Sequence, residues 1–214
     1  MKKQRDVIPA ILTNNRENLL DMVRTCSGFC KYVQIDIMDG KFVPSKSIAI
    51  EDLRGVRFPT KSEAHLMVNE PLEWVAAFKA AGSHRIIYHF ETQKDHAGVI
   101  DVIKKQNLEV GLAINPSTKI KDFGFLVGSV DCVLFMSVVP GFYGSKFIPE
   151  VLDKIKEFKK LYPNKCAGID GGVKAGNIGA VSKSGVDYIC VGSAILKAAN
   201  PKEAYLEMKD SLNE

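Results

Sequence analysis

The strongest constraint on this chain is a regular alternation. Short runs rich in Val and Ile, bounded by Gly, Pro, Asn or Asp, recur eight times along 214 residues. They are Val7–Leu12, Tyr32–Ile37, Glu63–Val68, Arg85–Phe90, Glu109–Ile114, Cys132–Ser137, Cys166–Ile169 and Asp187–Val191. Runs of this kind read as strands. Between them, apolar residues fall at helical spacing: Trp74, Val75 and Phe78; Val151, Leu152, Ile155 and Phe158; Ala204, Tyr205, Met208 and Leu212. That period marks one buried face of a helix. Pro71, Pro149 and Pro201 stand at the expected helix starts, where a missing N–H costs nothing. Strand and helix in turn demand a parallel sheet with helical crossovers. Eight such units predict an α/β protein, a closed (β/α)8 or TIM barrel, as one domain over residues 1–214. The other arrangement, a doubly wound open sheet, lacks here its GxGxxG signature after the first strand.

Composition narrows the partners. Hydrophobic residues make up 46% and charged residues 25%, as in an ordinary globular protein, which excludes a disordered tail or a disulfide scaffold. Lys plus Arg is 29 against 25 Asp plus Glu, a net charge of +4, and the basic residues are spread along the chain. No basic arm suggests a nucleic-acid partner. The five cysteines are odd in number, and Cys26 and Cys30 lack a CxxC spacing, so buried free thiols in a reducing compartment are expected. The apolar stretch in MKKQRDVIPAIL is too short for a signal peptide, and no run approaches the ~18 apolar residues of a membrane span. The expectation is a cytoplasmic protein with no membrane partner.

In such barrels reactive groups sit where strands run into the following loops. Side chains alternate along a strand, so Gln34 and Asp36 share one face and Val33, Ile35 and Ile37 the other. The apolar set suits the helices, which aims Gln34 and Asp36 into the barrel. His65 and Met67 share a face of the third strand, His89 and Glu91 one of the fourth, and the seventh ends at Asp170. Singly, such residues cap loops or fill cores. Carboxylates and an imidazole meeting at one end of a barrel are a candidate site. Asp39, within Met38-Asp39-Gly40, reads instead as a loop cap. Three successive loops carry glycine: Gly141-Phe142-Tyr143-Gly144, Gly171-Gly172 and Gly192-Ser193. Glycine lets backbone N–H groups approach an anion, and loops seven and eight of these barrels often bind phosphate.

At these residues the sequence resembles the ribulose-phosphate 3-epimerase family. The likeness rests on IPAIL (8–12), QIDIMDGKFVP (34–44), HLMV (65–68), YHFE (88–91), INPST (114–118), MSVVPGFYGSKFI (136–148), IDGGV (169–173) and VGSAI (191–195). It implies a barrel enzyme inverting C3 of a ketopentose 5-phosphate, D-ribulose 5-phosphate to D-xylulose 5-phosphate, through an enediolate, with Asp36 and Asp170 as the catalytic pair. It implies a divalent metal (Zn, Mn, Mg or Fe) on Asp36, His65 and Asp170, phosphate contacts from Gly141, Phe142, Gly144, Gly171, Gly172, Gly192 and Ser193, and a pocket lined by Gln34, Met38, Met67, His89 and Met136. Four positions depart from the family pattern. Gln34 replaces a ligand histidine, Ala10 a serine near the substrate, and Val139 and Ser145 differ in the loop after strand six. Three consequences of Gln34 stay open: a weaker metal site, a metal-free site in which the amide helps the enediolate, or a paralogue with another substrate (a ketohexose 6-phosphate, or a sugar phosphate it only binds). A homo-oligomer is compatible with the resemblance, and no apolar stripe marks an interface.

Overall fold

The computed structural model describes residues 5–141 and 145–213. Among them, eight parallel strands pair in chain order and the last pairs back onto the first, closing a barrel. They are β1 (Asp6–Ile11), β2 (Tyr32–Met38), β3 (Lys61–Met67), β4 (Arg85–His89), β5 (Glu109–Ile114), β6 (Cys132–Met136), β7 (Cys166–Asp170) and β8 (Tyr188–Val191). Each lies within two residues, at both ends, of an apolar run in the sequence. The helices are α1 (Arg16–Ser27), α2 (Leu72–Ala81), α3 (His96–Lys105), α4 (Ile120–Phe123), α5 (Glu150–Leu161), α6 (Ile178–Ser182), α7 (Ser193–Leu196) and α8 (Pro201–Asn213).

Local chemistry sets these boundaries. Pro71 and Pro149 cap α2 and α5, and Pro201 opens α8. The side chains of Asn15 and Asp95 accept the N–H of Asn18 and Gly98, each at 2.9 Å, at the starts of α1 and α3. One unit departs from strict alternation. Between β2 and β3 the chain forms a single 3-10 turn, Ile50–Leu53, in place of a helix. Gly40, Pro44, Gly55 and Pro59 interrupt that stretch, and Gly40 and Gly55 have φ of 73° and 72°, which a helix cannot accommodate. Ile48, Leu53 and Val56 still bury themselves there and complete the layer.

The outward strand faces build the main core. Val33, Ile35 and Ile37 of β2 and Ala64 and Leu66 of β3 pack in one apolar cluster with Phe78, Phe123 and Phe158 of the helices. Burying each large side chain contributes about 1.5–3 kcal/mol. Inside the barrel a smaller cluster joins Ile8, Ala10, Ile87, Ala113, Leu134 and Cys190. Branched apolar residues dominate most barrel interiors, yet here Gln34, Glu63, His65 and His89 are all fully buried. Toward the start of the strands, Glu63 Oε2 accepts from Arg85 Nη1 at 2.9 Å, and Arg85 Nη2 donates to Glu109 Oε2 at 2.6 Å. Among the described residues no helix is long and apolar enough to cross a membrane.

Candidate active site

The strand register assembles the site. Asp36 pairs with His65 across β2 and β3, so the two face inward in one layer, with Gln34 and Glu63 in the layer beneath. Asp170 arrives as the last residue of β7. Gln34 Nε2 donates to Asp36 Oδ1 at 2.8 Å and to Asp170 Oδ2 at 2.7 Å. His65 Nδ1 lies 3.1 Å from Asp36 Oδ1 and 3.2 Å from Asp170 Oδ2. The carboxylate side chains are 12% and 11% exposed while His65 is at 0%, so the acids, not the imidazole, reach the cavity.

Burial and the charge of Asp170 push the Asp36 pKa up, and the bonds from His65 and Gln34 oppose that rise. Burial alone would lower the His65 pKa, but its hydrogen bonds to Asp170 and Asp36 and their charges raise it to about 10. His65 is therefore a cation at neutral pH. Its Nε2 meets His89 Nε2 at 3.0 Å. Burial lowers the His89 pKa to about 4, and the neighbouring His65 charge adds to that. A neutral His89 thus accepts from a charged His65.

A cavity opens over the two acids. Met38, Met67 and Met136 line it beside Asp36 and Asp170. Gly141, Gly171, Gly172, Gly192 and Ser193 line the same cavity. Gly171 and Gly172 have φ of 108° and 65°, and a Cβ on Gly171 would stand 2.5 Å from Val138. That turn admits only glycine without strain. Phe142 and Gly144 lie outside the described residues.

Two of the expected lining residues require correction. Gln34 and His89 are fully buried and do not line the cavity. Gln34 lies one layer beneath Asp36, and His89 is covered by His65 and by the ring of Phe42, 4.8 Å away. Of the four departures from the family pattern, Ala10 and Ser145 line the cavity, while Val139 is 62% exposed. Asp39 caps its loop, accepting from the N–H groups of Lys41, Phe42 and Asn69.

Three contributors went unread in the sequence. Cys190 lines the cavity and its Sγ donates to Gln34 Oε1 at 3.0 Å. Glu63 shares the inward face of β3 with His65, a signal that alternation already carried. Lys197 also lines the cavity, four residues after Ser193 and hence on the same helical side.

A sequence profile described as the Ribulose-phosphate 3 epimerase family matches residues 6–196. The chain belongs to that family. Ribulose-phosphate 3-epimerase of Escherichia coli K12 is 32% identical over 218 residues, covering 98% of this chain and 97% of that one. The cytoplasmic isoform of the same enzyme from Oryza sativa is 32% identical over 213 residues, covering 96% and 93%. Among solved structures, a 3-hexulose-6-phosphate synthase superposes with a TM-score of 0.68 at 19% identity, covering 96% of this chain and 98% of that one. An orotidine 5'-phosphate decarboxylase from Pyrococcus horikoshii gives 0.66 at 17%, covering 97% and 99%. At that identity the structural likeness speaks for the fold alone.

Family membership raises the question of a metal. Asp36, His65 and Asp170 of this ribulose-phosphate 3-epimerase family member each offer a ligand atom within 4.8 Å of the others, a spacing that could hold one ion. The donor set does not fit a resident divalent cation. The fourth inward group, Gln34, turns amide hydrogens, not an oxygen, toward both carboxylates. Hydrogens thus stand where a cation's ligands would present lone pairs.

Proposed function

We propose that this protein is an epimerase that inverts C3 of a ketopentose 5-phosphate, interconverting D-ribulose 5-phosphate and D-xylulose 5-phosphate. One observation carries the reading: Asp36 and Asp170, from separate strands, share their hydrogen-bond donors at the floor of one cavity. Inversion needs a base on one side of C3 and an acid on the other. Acids rooted in β2 and β7 can flank a sugar seated between them.

One carboxylate takes the C3 hydrogen as a proton. The C–H electron pair becomes the C2–C3 double bond, and the carbonyl pair moves onto O2 to give an enediolate. The other carboxyl group, already protonated, returns a proton to the opposite face, and the C2 carbonyl re-forms. The raised pKa of Asp36 suits it to hold that proton in one direction of the reaction. The roles exchange in the other. The charged His65 behind both acids offsets the negative charge that grows on O2. Met38, Met67 and Met136 supply an apolar wall that keeps water from the carbanion-like centre.

The phosphate end falls to the backbone of Gly141, Gly171, Gly172 and Gly192 and to Ser193, with Lys197 adding a positive charge. Five free cysteines, four of them buried, and the cytoplasmic rice relative support a cytoplasmic setting. The deciding experiment incubates the protein with ribulose 5-phosphate in deuterium oxide. Deuterium enters at C3 and xylulose 5-phosphate accumulates; sugar recovered without label would sink the reading.

A further inference from the structure

We propose that Gln34 clamps the two acids where a metal ion would otherwise sit, and that the protein holds and uses no divalent cation at this centre. The catalytic half of this statement rests on the epimerase reading above. The clamp itself rests on the hydrogen-bond inventory of one side chain.

A glutamine amide has two N–H hydrogens and one oxygen with two lone pairs. Both hydrogens of Gln34 are spent, one on Asp36 Oδ1 at 2.8 Å and one on Asp170 Oδ2 at 2.7 Å. Its Oε1 accepts from Cys190 Sγ at 3.0 Å, and Glu63 Oε1 lies 3.9 Å behind that sulfur. The neighbours fix which way the amide points. The two carboxylate oxygens are acceptors and face the NH2 end, and the thiol hydrogen faces the oxygen. Reversing the amide to offer Oε1 to a cation would forfeit both bonds to the acids inside a fully buried pocket, where lost partners are not replaced by water. His65 Nδ1 closes the same ring from the other side, 3.1 and 3.2 Å from the two acids.

The bridged acids therefore already have what a shared cation would supply: fixed separation, fixed orientation and partial relief of their mutual repulsion. Gln34 does not line the cavity, so it is a positioning residue that acts through Asp36 and Asp170. A histidine at position 34 would instead present a lone pair to the cluster and complete a metal-binding set with Asp36, His65 and Asp170.

The test measures metal and reaction separately. Wild-type protein is incubated with excess Zn, Mn or Co(II), desalted and assayed for metal by elemental analysis. Far less than one equivalent is expected, with no visible Co(II) absorption band. C3 deuterium exchange should be unchanged by EDTA. Gln34→His should gain a Co(II) band with at least about tenfold tighter binding, and its exchange should become sensitive to chelator. Gln34→Leu, which keeps the volume but not the donors, should lower kcat about 10- to 100-fold with KM little moved. One equivalent of tightly held metal in the wild type, or exchange abolished by EDTA and restored by Co(II), would overturn the proposal. A wild type with neither metal nor exchange would leave the clamp standing and refute the epimerase reading instead.

Discussion

The two faces of β2 and β3 are one residue out of step and behave as different materials. On the outward face Val33, Ile35, Ile37, Ala64 and Leu66 are buried against the helices. On the inward face of the same strands Gln34, Asp36, Glu63 and His65 each bond to a partner brought from a distant part of the chain or from the adjoining strand. Outward residues contribute volume, and another apolar side chain of similar size would serve. Inward residues contribute particular atoms at particular places, and no substitute has the same donors. A change on the outward face should therefore be read out as stability alone, and a change on the inward face as chemistry as well.

The largest effect belongs to the inward face. Asp36→Asn and Asp170→Asn keep size and shape but remove the group that moves the proton. Each should slow C3 exchange by about 10²–10⁴-fold. Affinity for inorganic phosphate should stay close to wild type. Exchange near the wild-type rate in either variant would break the division between the faces, because an inward acid would then be packing only.

The same division explains what could be read from the sequence. Apolar periodicity is local, so eight strands and the helices α2, α5 and α8 were legible in the sequence, and so was the inward aim of Asp36; α1 and α3 were not singled out. Depth was not legible. Alternation says which face a residue takes but not how far down the barrel it lies, which is why Gln34 proved to stand beneath the cavity rather than on its wall. Its bond to Cys190 spans 156 residues, and no short-range pattern reports such a contact. The missing helix after β2 was readable in principle, since Gly40, Pro44, Gly55 and Pro59 all argue against one.

The outward face supplies the second prediction. Phe158 is fully buried on α5, with ring centroids 5.2 Å from Phe135 and 6.2 Å from Phe123. Phe158→Ala should cost about 3–5 kcal/mol in urea unfolding, while exchange per folded molecule holds. A fall in the intrinsic rate would mean that the outward core sets the geometry of the acids.

Next in size is a pH effect that sharpens the contrast from the inward side. His89 has a pKa of about 4 in the folded protein against an ordinary 6.5. The unfolded chain takes up a proton below 6.5 that the folded chain refuses until about 4. Stability conferred by the neutral buried ring is thus full above pH 6.5 and lost as pH falls toward 4. The loss across that window should be about 3 kcal/mol. His89→Gln keeps an acceptor for His65 and does not titrate. Urea unfolding from pH 7 to 4.5 should therefore be less steep in the variant, whatever its absolute stability, and parallel curves would show that His89 does not carry the slope.

The smallest effect concerns the rim, where neither face rules. Lys197 stands one helical turn beyond Ser193, its backbone N–H donating to the Ser193 carbonyl at 3.1 Å, and both residues line the cavity. A charged hydrogen bond to a phosphate far from C3 is made equally in the ground and transition states, so it affects binding and not the chemical step. Lys197→Ala should raise KM for ribulose 5-phosphate about tenfold with kcat unchanged. Lys197→Arg should recover most of the loss. The wild-type KM should also rise with ionic strength more steeply than that of the alanine variant, because the screened charge is the one removed. A fall in kcat with KM held would move Lys197 from the phosphate to the reacting carbon, and the sugar would then have to sit in the cavity the other way round.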